Sequence, residues 1–300
     1  MAGSKTASLR NVRQQSIRVA ATVFLLPALF LLVVYVLFPI VDSFVTSGMS
    51  LRLGGTARFT GFANWVALVR DINFWLSFLN NVKIMFLSLL FQVPFAMALA
   101  TFLDVADKKG YIFKIVWFIP YLLSSVATGV LFKFSLAAGD GIFTSVSKLL
   151  GGGAIDLLGN PSTALYTVIG VVCWQFIPFY MVLYLAAYGT IPVELYEAAS
   201  IDGATQTQYF WHVSLPMLRP TVISGMTLSI IGSLKYFDLI FVMTGGGPGV
   251  ATELMGTYMY RMSWGQLNFG YGATVASGMF ILITLVALIV VSTINRKSEI

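Results

Sequence analysis

The 300-residue chain is 58% hydrophobic and 10% charged, and its mean hydropathy is +0.86. Soluble domains carry about 25% charged residues, so this composition excludes a soluble globular protein and indicates a polytopic membrane protein. The net charge is +6. We interpret the excess as a topology signal and expect no nucleic-acid partner, because four basic residues precede the first apolar run: Lys5, Arg10, Arg13 and Arg18.

Cysteine and histidine are too few for a disulfide or a metal cluster. Cys173 is the single cysteine and lies in an apolar run, and His212 is the single histidine. Metal sites need several such ligands, so we expect no metal site and no catalytic residue. The sequence also lacks a Gly-rich loop followed by Lys-Ser/Thr that would cradle phosphates. The chain is therefore not expected to hydrolyse ATP alone.

Six apolar segments are long enough to cross a hydrocarbon core of about 30 Å, which needs about 20 residues per helix. Their hydrophobicity is continuous and does not alternate, which excludes barrel strands. The predicted fold class is all-α, with six transmembrane helices. The segments are 19–40, 75–103, 113–135, 163–188, 220–243 and 273–294.

Lys and Arg are distributed unequally between the two sides of this arrangement. With the N-terminus inside, ten lie in the inner segments and five in the outer loops, which favours both termini in the cytoplasm. The inner ten are Lys5, Arg10, Arg13, Arg18, Lys108, Lys109, Lys114, Arg219, Arg296 and Lys297; the outer five are Arg52, Arg58, Arg70, Lys148 and Arg261. The predicted domains are a cytoplasmic segment 1–18, a transmembrane domain 19–294 and a cytoplasmic tail 295–300.

Two outer loops lie between the early segments. Residues 41–74 form the first, and residues 136–162 form the second, which is rich in Gly and Ser. Its Gly151-Gly152-Gly153 run predicts irregular structure there.

Residues 191–220 form the longest polar interruption in the second half, on the predicted cytoplasmic side. Pro192 suits the first turn of a helix, and Asp202-Gly203 predicts a break. A second short helix is expected to run to about His212 and to stop at Leu215-Pro216. Two short helices around a glycine corner predict a rigid knob that docks to another protein.

Within this loop, three elements occur at a fixed spacing: Glu197-Ala198-Ala199, Asp202-Gly203-Ala204 and Leu215-Pro216. The pattern resembles the EAA loop of ABC-importer permeases, in the carbohydrate-uptake branch with maltose-type and glycerol-phosphate-type members. Two further stretches resemble the same branch in the right order: Phe59-Thr60-Gly61-Phe62-Ala63-Asn64-Trp65 before the second segment, and Phe237-Asp238 followed by Thr244-Gly245-Gly246-Gly247-Pro248.

The resemblance implies a type I ABC-importer permease in the cytoplasmic membrane of a bacterium or archaeon. The implied partners are membrane lipid, a second homologous permease subunit, two ATPase subunits that carry ATP and Mg, and an extracytoplasmic sugar-binding protein. It implies that the chain itself binds no cofactor. In the family this loop inserts into a cleft of the ATPase subunit. Glu197 would pair with a basic residue there, Ala198 and Ala199 would allow close seating, and Gly203 would set the corner.

Substrate contacts are expected on two helix faces. Ser229, Ser233 and Tyr236 lie at i, i+4 and i+7, and Gln175 and Phe179 at i and i+4, so each set shares a face. Hydroxyls, an amide and rings suit a sugar, although close helix packing explains Ser equally well. Lys235 and Asp238 are expected to pair on the helix surface.

Three transport functions fit this arrangement. The leading one is uptake of a neutral sugar, since Lys235 is the chief basic residue within the membrane. Uptake of glycerol-3-phosphate or another polyol is the second. An ion-coupled transporter is the third, and the absence of mid-span Asp or Glu in the other five segments disfavours proton coupling.

Overall fold

The computed structural model describes residues 22–106 and 110–298, so Lys5, Arg10, Arg13, Arg18, Lys108 and Lys109 lie outside the described residues. The regular secondary structure of the described part is helical apart from one small hairpin, which confirms the predicted all-α class. The helices are α1 Thr22–Ser47, α2 Ala63–Arg70, α3 Ile72–Ala106, α4 Tyr111–Leu122, α5 Ser125–Ser135, α6 Ile142–Leu149, α7 Ala164–Tyr188, α8 Val193–Ile201, α9 Gln206–Leu234, α10 Asp238–Met243, α11 Met255–Tyr260 and α12 Phe269–Ser298.

Five helices are long and apolar enough to span a membrane: α1, α3, α7, α9 and α12. A sixth span is formed if the bent pair α4 and α5 is counted as one. Four of the predicted segments coincide with single helices, namely α1, α3, α7 and α12. The 35 residues of α3 extend over about 52 Å, so this helix projects beyond the hydrocarbon core.

The third predicted segment is not one continuous helix. It is broken after Leu122, and α4 and α5 meet at 94°. Leu123 is extended, with ψ of 141°, and Ser124 caps α5 by accepting a hydrogen bond from the Ala127 N–H at 3.1 Å. The Leu123 carbonyl accepts a bond from the Gln175 amide of α7 at 3.0 Å, which satisfies it away from water.

The fifth predicted segment differs at both ends. Helix α9 begins on the polar loop at Gln206 and ends at Leu234, and residues 235–237 are not helical. The expectation that Pro216 stops a short helix is wrong. A π-helical turn, Phe210–Ser214, precedes Pro216. Its wider turn relieves the clash of the proline ring with the preceding carbonyl, an acceptor to which proline, having no N–H, cannot donate.

The two loops predicted to lie outside hold more structure than their sequences suggest. Loop 136–162 was expected to be irregular, yet it contains α6, whose apolar residues recur at helical spacing. Loop 41–74 contains the hairpin β1 (Met49–Ser50) and β2 (Arg58–Phe59), antiparallel with Met49 opposite Phe59, and α2. The Asn64 amide donates to the Ser47 and Met49 carbonyls at 2.9 Å each, which anchors α2 to the hairpin.

The core is centred on α3 and α7, which pack along their length, with α9 against both. Small residues allow close approach between shorter elements. A Cβ added to Gly129 of α5 would lie 3.1 Å from the Val242 side chain of α10. Helix α1 contacts α12 near its end, where the Phe44 and Phe280 rings meet edge to face at 6.1 Å, whereas its first half is exposed.

The buried Asn81 amide joins three elements. Its Nδ2 donates to the Leu234 carbonyl at the end of α9, and its Oδ1 accepts from the Met255 N–H at the start of α11. Asn81→Ala should destabilise the protein by about 1–3 kcal/mol for each buried group left unpaired. Thermal unfolding in nanodiscs measures this, with the exposed Asn73→Ala as the control. Equal melting temperatures for the two variants would contradict the role assigned to Asn81.

Candidate docking loop and translocation site

The polar loop forms a glycine corner between α8 and α9, as predicted. Gly203 has φ of +73°, a left-handed conformation that side chains with a Cβ rarely adopt. Backbone hydrogen bonds close the corner: the Asp202 N–H donates to the Ala198 carbonyl at 3.0 Å, and the Ala204 N–H to the Ala199 carbonyl at 2.9 Å. The corner is therefore a defined turn.

Local contacts fix the two helices of the corner to each other. Thr205 caps α9 in a capping box, in which its hydroxyl accepts from the Gln208 N–H and its own N–H donates to Gln208 Oε1 at 2.8 Å. The Tyr196 and Tyr209 rings meet edge to face at 5.3 Å. The Gln206 amide donates to the Tyr196 hydroxyl at 3.3 Å. Together these contacts give a rigid knob.

The docking residues predicted from the sequence divide into three groups in the structure. Glu197, Ala198 and Asp202 are exposed, and no residue of α8 is buried. Ala199 and Ala204 are half-buried against the corner. Leu215 and Pro216 lie inside α9 rather than at its start. The knob thus presents an acidic, uncovered surface.

Two serines near the end of α9, Ser229 and Ser233, face the buried centre of the bundle. Ser229 and Ser233 are 1% and 0% exposed. Ser229 Oγ donates to Gln92 Oε1 of α3 at 2.9 Å. Gln92 Nε2 and Ser233 Oγ have no hydrogen-bond partner within the described chain. This pair leaves unused hydrogen-bonding capacity in a membrane helix interface.

Tyr236 lies beyond the end of α9, so it does not continue the face of the two serines as the i+7 spacing predicts. The break nevertheless returns its side chain to the same region. Its hydroxyl faces Gln92 and Ser233, and its ring contacts the Phe176 ring at 5.4 Å.

The second predicted face is divided between two roles. Gln175 is 2% exposed and uses its amide nitrogen on the α4–α5 break, while its Oε1 has no partner among the described residues. Phe179 is half-buried and stacks on Tyr121 of α4 at 5.2 Å.

Sequence reasoning missed Gln92 and Tyr121. An isolated Gln in an apolar run was the available signal for Gln92, because a polar side chain in a span usually faces protein or water.

The predicted ion pair between Lys235 and Asp238 is not formed. Both side chains are exposed, and the helix break separates them. The ion pair found among the described residues joins Arg261 to Glu253, at 2.5 Å. Glu253 is 1% exposed. The sequence did not predict this ion pair, because Arg261 follows Glu253 by eight residues, which is not a spacing that pairs side chains on one helix face.

Buried polar side chains hold the segment around Glu253 against the start of α3. The Asn80 amide lies 3.0–3.3 Å from the carbonyls of Val250, Ala251 and Glu253. Burial raises the pKa of Glu253 to about 7, although Arg261 opposes the shift. Burial also acts to raise the pKa of Asp71, but the Tyr258 and Tyr271 hydroxyls that donate to it contribute to a net lowering.

The chain belongs to the family of binding-protein-dependent transport system inner membrane components, because the family model matches residues 6–299. This confirms the resemblance found in the sequence. Together with the apolar helices, it makes the protein a multi-pass membrane protein.

Two relatives match most of the chain. It is 30% identical over 282 residues to the sulfoquinovosyl glycerol transport system permease protein of Agrobacterium fabrum, covering 93% of this chain and 92% of that protein. It is also 30% identical over 276 residues to the arabinooligosaccharides transport system permease protein of Bacillus subtilis, covering 91% and 87%.

The structure is similar to a chain of a bacterial alginate ABC transporter, solved in complex with an alginate pentasaccharide-bound periplasmic protein. The TM-score is 0.82 at 23% identity, covering 96% of each chain. The fold is therefore that of an ABC-importer permease.

Glu253 should make the stability of the protein depend on pH. A carboxyl whose pKa is raised in the folded state stabilises that state below its unfolded pKa of about 4.5, and the contribution is lost as pH rises through about 7. Between pH 5 and pH 8 the wild type should lose on the order of 1–3 kcal/mol relative to Glu253→Gln. Melting temperatures in nanodiscs measure the difference. Asp140→Asn, at an exposed carboxylate, should track the wild type; an identical profile for Glu253→Gln would refute the assignment.

Proposed function

We propose that this chain is one permease subunit of an ATP-driven importer that moves a neutral sugar into the cytoplasm. One observation carries the proposal: α9 runs unbroken from the knob at Gln206 to the buried serines. Gln206 and Ser229 are separated by about 34 Å of helix. A displacement of the knob is thereby transmitted to the polar centre of the bundle by a single rigid element.

Energy reaches the chain through the knob in this proposal. ATP, with Mg, is hydrolysed on two separate ATPase subunits, and a second, related permease subunit completes the membrane unit. Both termini lie in the cytoplasm, on the same side as the knob. The acidic surface of Glu197 and Asp202 suits a basic cleft on the ATPase, and helix-in-groove recognition supplies the docking mode. Ala198 and Ala199 permit the close approach that such a groove requires.

The transport cycle follows from two conformations of the bundle. Closure of the ATPase dimer draws the paired knobs together and shifts the bundle from inward-open to outward-open. An extracytoplasmic binding protein then releases its sugar into the cavity. The similarity to a transporter solved with a saccharide-bound periplasmic protein supports this partner.

The cargo assignment draws on relatives and on side-chain chemistry. The two relatives carry names of carbohydrate-containing compounds. Ser229, Ser233 and Gln175 offer hydroxyl and amide groups, and Tyr236 and Phe179 offer rings. Because an anionic cargo calls for several cations and the middle of the predicted spans offers chiefly Lys235, a neutral sugar is favoured over glycerol-3-phosphate or another polyol phosphate.

An ATPase requirement separates this importer from an ion-coupled carrier. Proteoliposomes containing the complete assembly should accumulate labelled sugar when ATP and the binding protein are supplied. Liposomes containing this chain alone should show no uptake under a proton or sodium gradient. Gradient-driven uptake by the isolated chain would refute the proposal.

Substitutions at the knob should uncouple ATP hydrolysis from uptake. Glu197→Ala removes the docking charge, and Gly203→Val forces a β-branched residue to adopt φ of +73°, which costs on the order of 1–3 kcal/mol. Gly203→Asn is the matched control, because Asn tolerates that conformation. Both disruptive variants should insert normally but lose about tenfold or more in uptake per ATP hydrolysed, as docking weakens by about 1.4 kcal/mol or more. Wild-type coupling in both would refute the docking role.

A further inference from the structure

A cavity of about 410 Å³ lies where the knob joins the transmembrane helices. Its walls come from four elements: Asp104 from the end of α3, Tyr188 from the end of α7, Tyr196 from α8, and Tyr209 from the start of α9. Asp104 and Tyr196 are exposed, so solvent reaches the cavity. Ser214 of α9 lines the cavity, whereas Ser229 and Ser233 do not, so the cavity is not part of the translocation site described above.

The cavity walls combine hydrogen-bonding groups with aromatic rings. Thr101 Oγ1 and the Tyr188 hydroxyl are 2.7 Å apart, and Gln206 Nε2 donates to the Tyr196 hydroxyl at 3.3 Å. A hydroxyl carries one donor and two acceptor sites. Thr101 Oγ1 also donates to the Met97 carbonyl at 2.9 Å, so it keeps acceptor capacity only, whereas the Tyr196 hydroxyl, which accepts from Gln206, keeps its own donor for a ligand. The carboxylate of Asp104 also lines the cavity, and a carboxylate can accept several hydrogen bonds at once.

Three features indicate the chemical class of the ligand. Neutral hydroxyl and amide groups outnumber the one carboxylate, which suits a polyhydroxylated molecule better than an organic cation. The rings of Tyr196 and Tyr209, which meet edge to face, line the cavity and give it aromatic surface against which C–H groups can pack. The carboxylate of Asp104 repels a phosphate group, which favours a neutral sugar over a phosphorylated one. The volume falls within the range of about 300–1,000 Å³ that is typical of small-molecule sites.

We propose that this cavity is a regulatory site for a neutral mono- or disaccharide from the cytoplasm. The inference rests on the proposed function and deepens it by adding feedback from the imported product. A bound sugar would bridge α8 and α9 to the ends of α3 and α7. A ligand that binds one of two conformations stabilises that conformation, so the sugar slows the movement of the knob and the transport cycle.

A reporter thiol tests occupancy directly. Val193 lines the cavity and is exposed, whereas the native Cys173 is buried. In the complete transporter in nanodiscs, Val193→Cys is labelled with a membrane-impermeant maleimide. Glucose, arabinose, maltose and trehalose are the probes, and choline is included to detect a cation site. At ten times its dissociation constant, a bound sugar should slow labelling about tenfold.

Two backgrounds identify the residues that hold the sugar. Asp104→Asn combined with Gln206→Ala should abolish protection of the thiol, while Tyr111→Phe, an exposed tyrosine outside the cavity, should leave it intact. The ATPase rate without binding protein should fall to about half at the sugar concentration that gives half-maximal protection.

Several results would overturn the regulatory site. The first is that none of the four sugars protects the thiol, and the second is that protection survives the double substitution. The third is that choline protects the thiol and the sugars do not. The fourth is a thiol that does not react in the assembled transporter without sugar, because the ATPase then fills the cavity. Labelling does not depend on transport. Sugar uptake without protection therefore removes the regulatory site alone, whereas failure of all sugar uptake removes the proposed function.

Discussion

The structure depends on one constraint of the bilayer, which is that every backbone polar group away from water needs a partner within the protein. Two spans are nevertheless broken, after Leu122 and after Leu234. Each break is closed by a buried amide from another helix. Gln175 donates to the Leu123 carbonyl, and Asn81 donates to the Leu234 carbonyl while accepting from the Met255 N–H. These amides allow helices to end inside the bundle.

The same constraint separates two kinds of buried polar side chain. Asn81 uses both ends of its amide on backbone groups and is structural. Gln92 and Ser233, in contrast, keep unpartnered atoms beside Ser229 and the Tyr236 hydroxyl. Unsatisfied groups of this kind are costly in a stable interface, so a polar molecule that enters the bundle gains from meeting them. The bundle can therefore be well packed and still offer hydrogen-bonding groups to the proposed sugar.

Continuity of α9 links the two ends of the proposed machine. The π-helical turn Phe210–Ser214 accommodates Pro216 without a break, so the knob and the serines belong to one helix. Beyond Leu234 the helix ends, and the polar lock of Asn80, Glu253 and Arg261 holds the following segment on α3. The segment after the break is therefore held to α3 by contacts that do not involve α9. The cavity beside Tyr188 lies at the near end of the same helix.

The sequence by itself determined the membrane class, four of the spans and the glycine corner. Each follows from local physics: an apolar run of sufficient length must be buried in lipid, and Gly203 can adopt a backbone conformation that other residues avoid. The fixed spacing of the motifs in the loop 191–220 also predicted the family. Tertiary structure alone decided that α4 and α5 are separate helices and that α9 continues through Pro216. It also decided that the Tyr236 side chain returns to the region of Ser229 and Ser233 after the helix break. Glu253 pairs with Arg261, whereas Lys235 and Asp238 stay apart. The reason is physical: a helix breaks or continues, and a buried charge finds its partner, according to atoms supplied by distant parts of the chain, which no local pattern encodes.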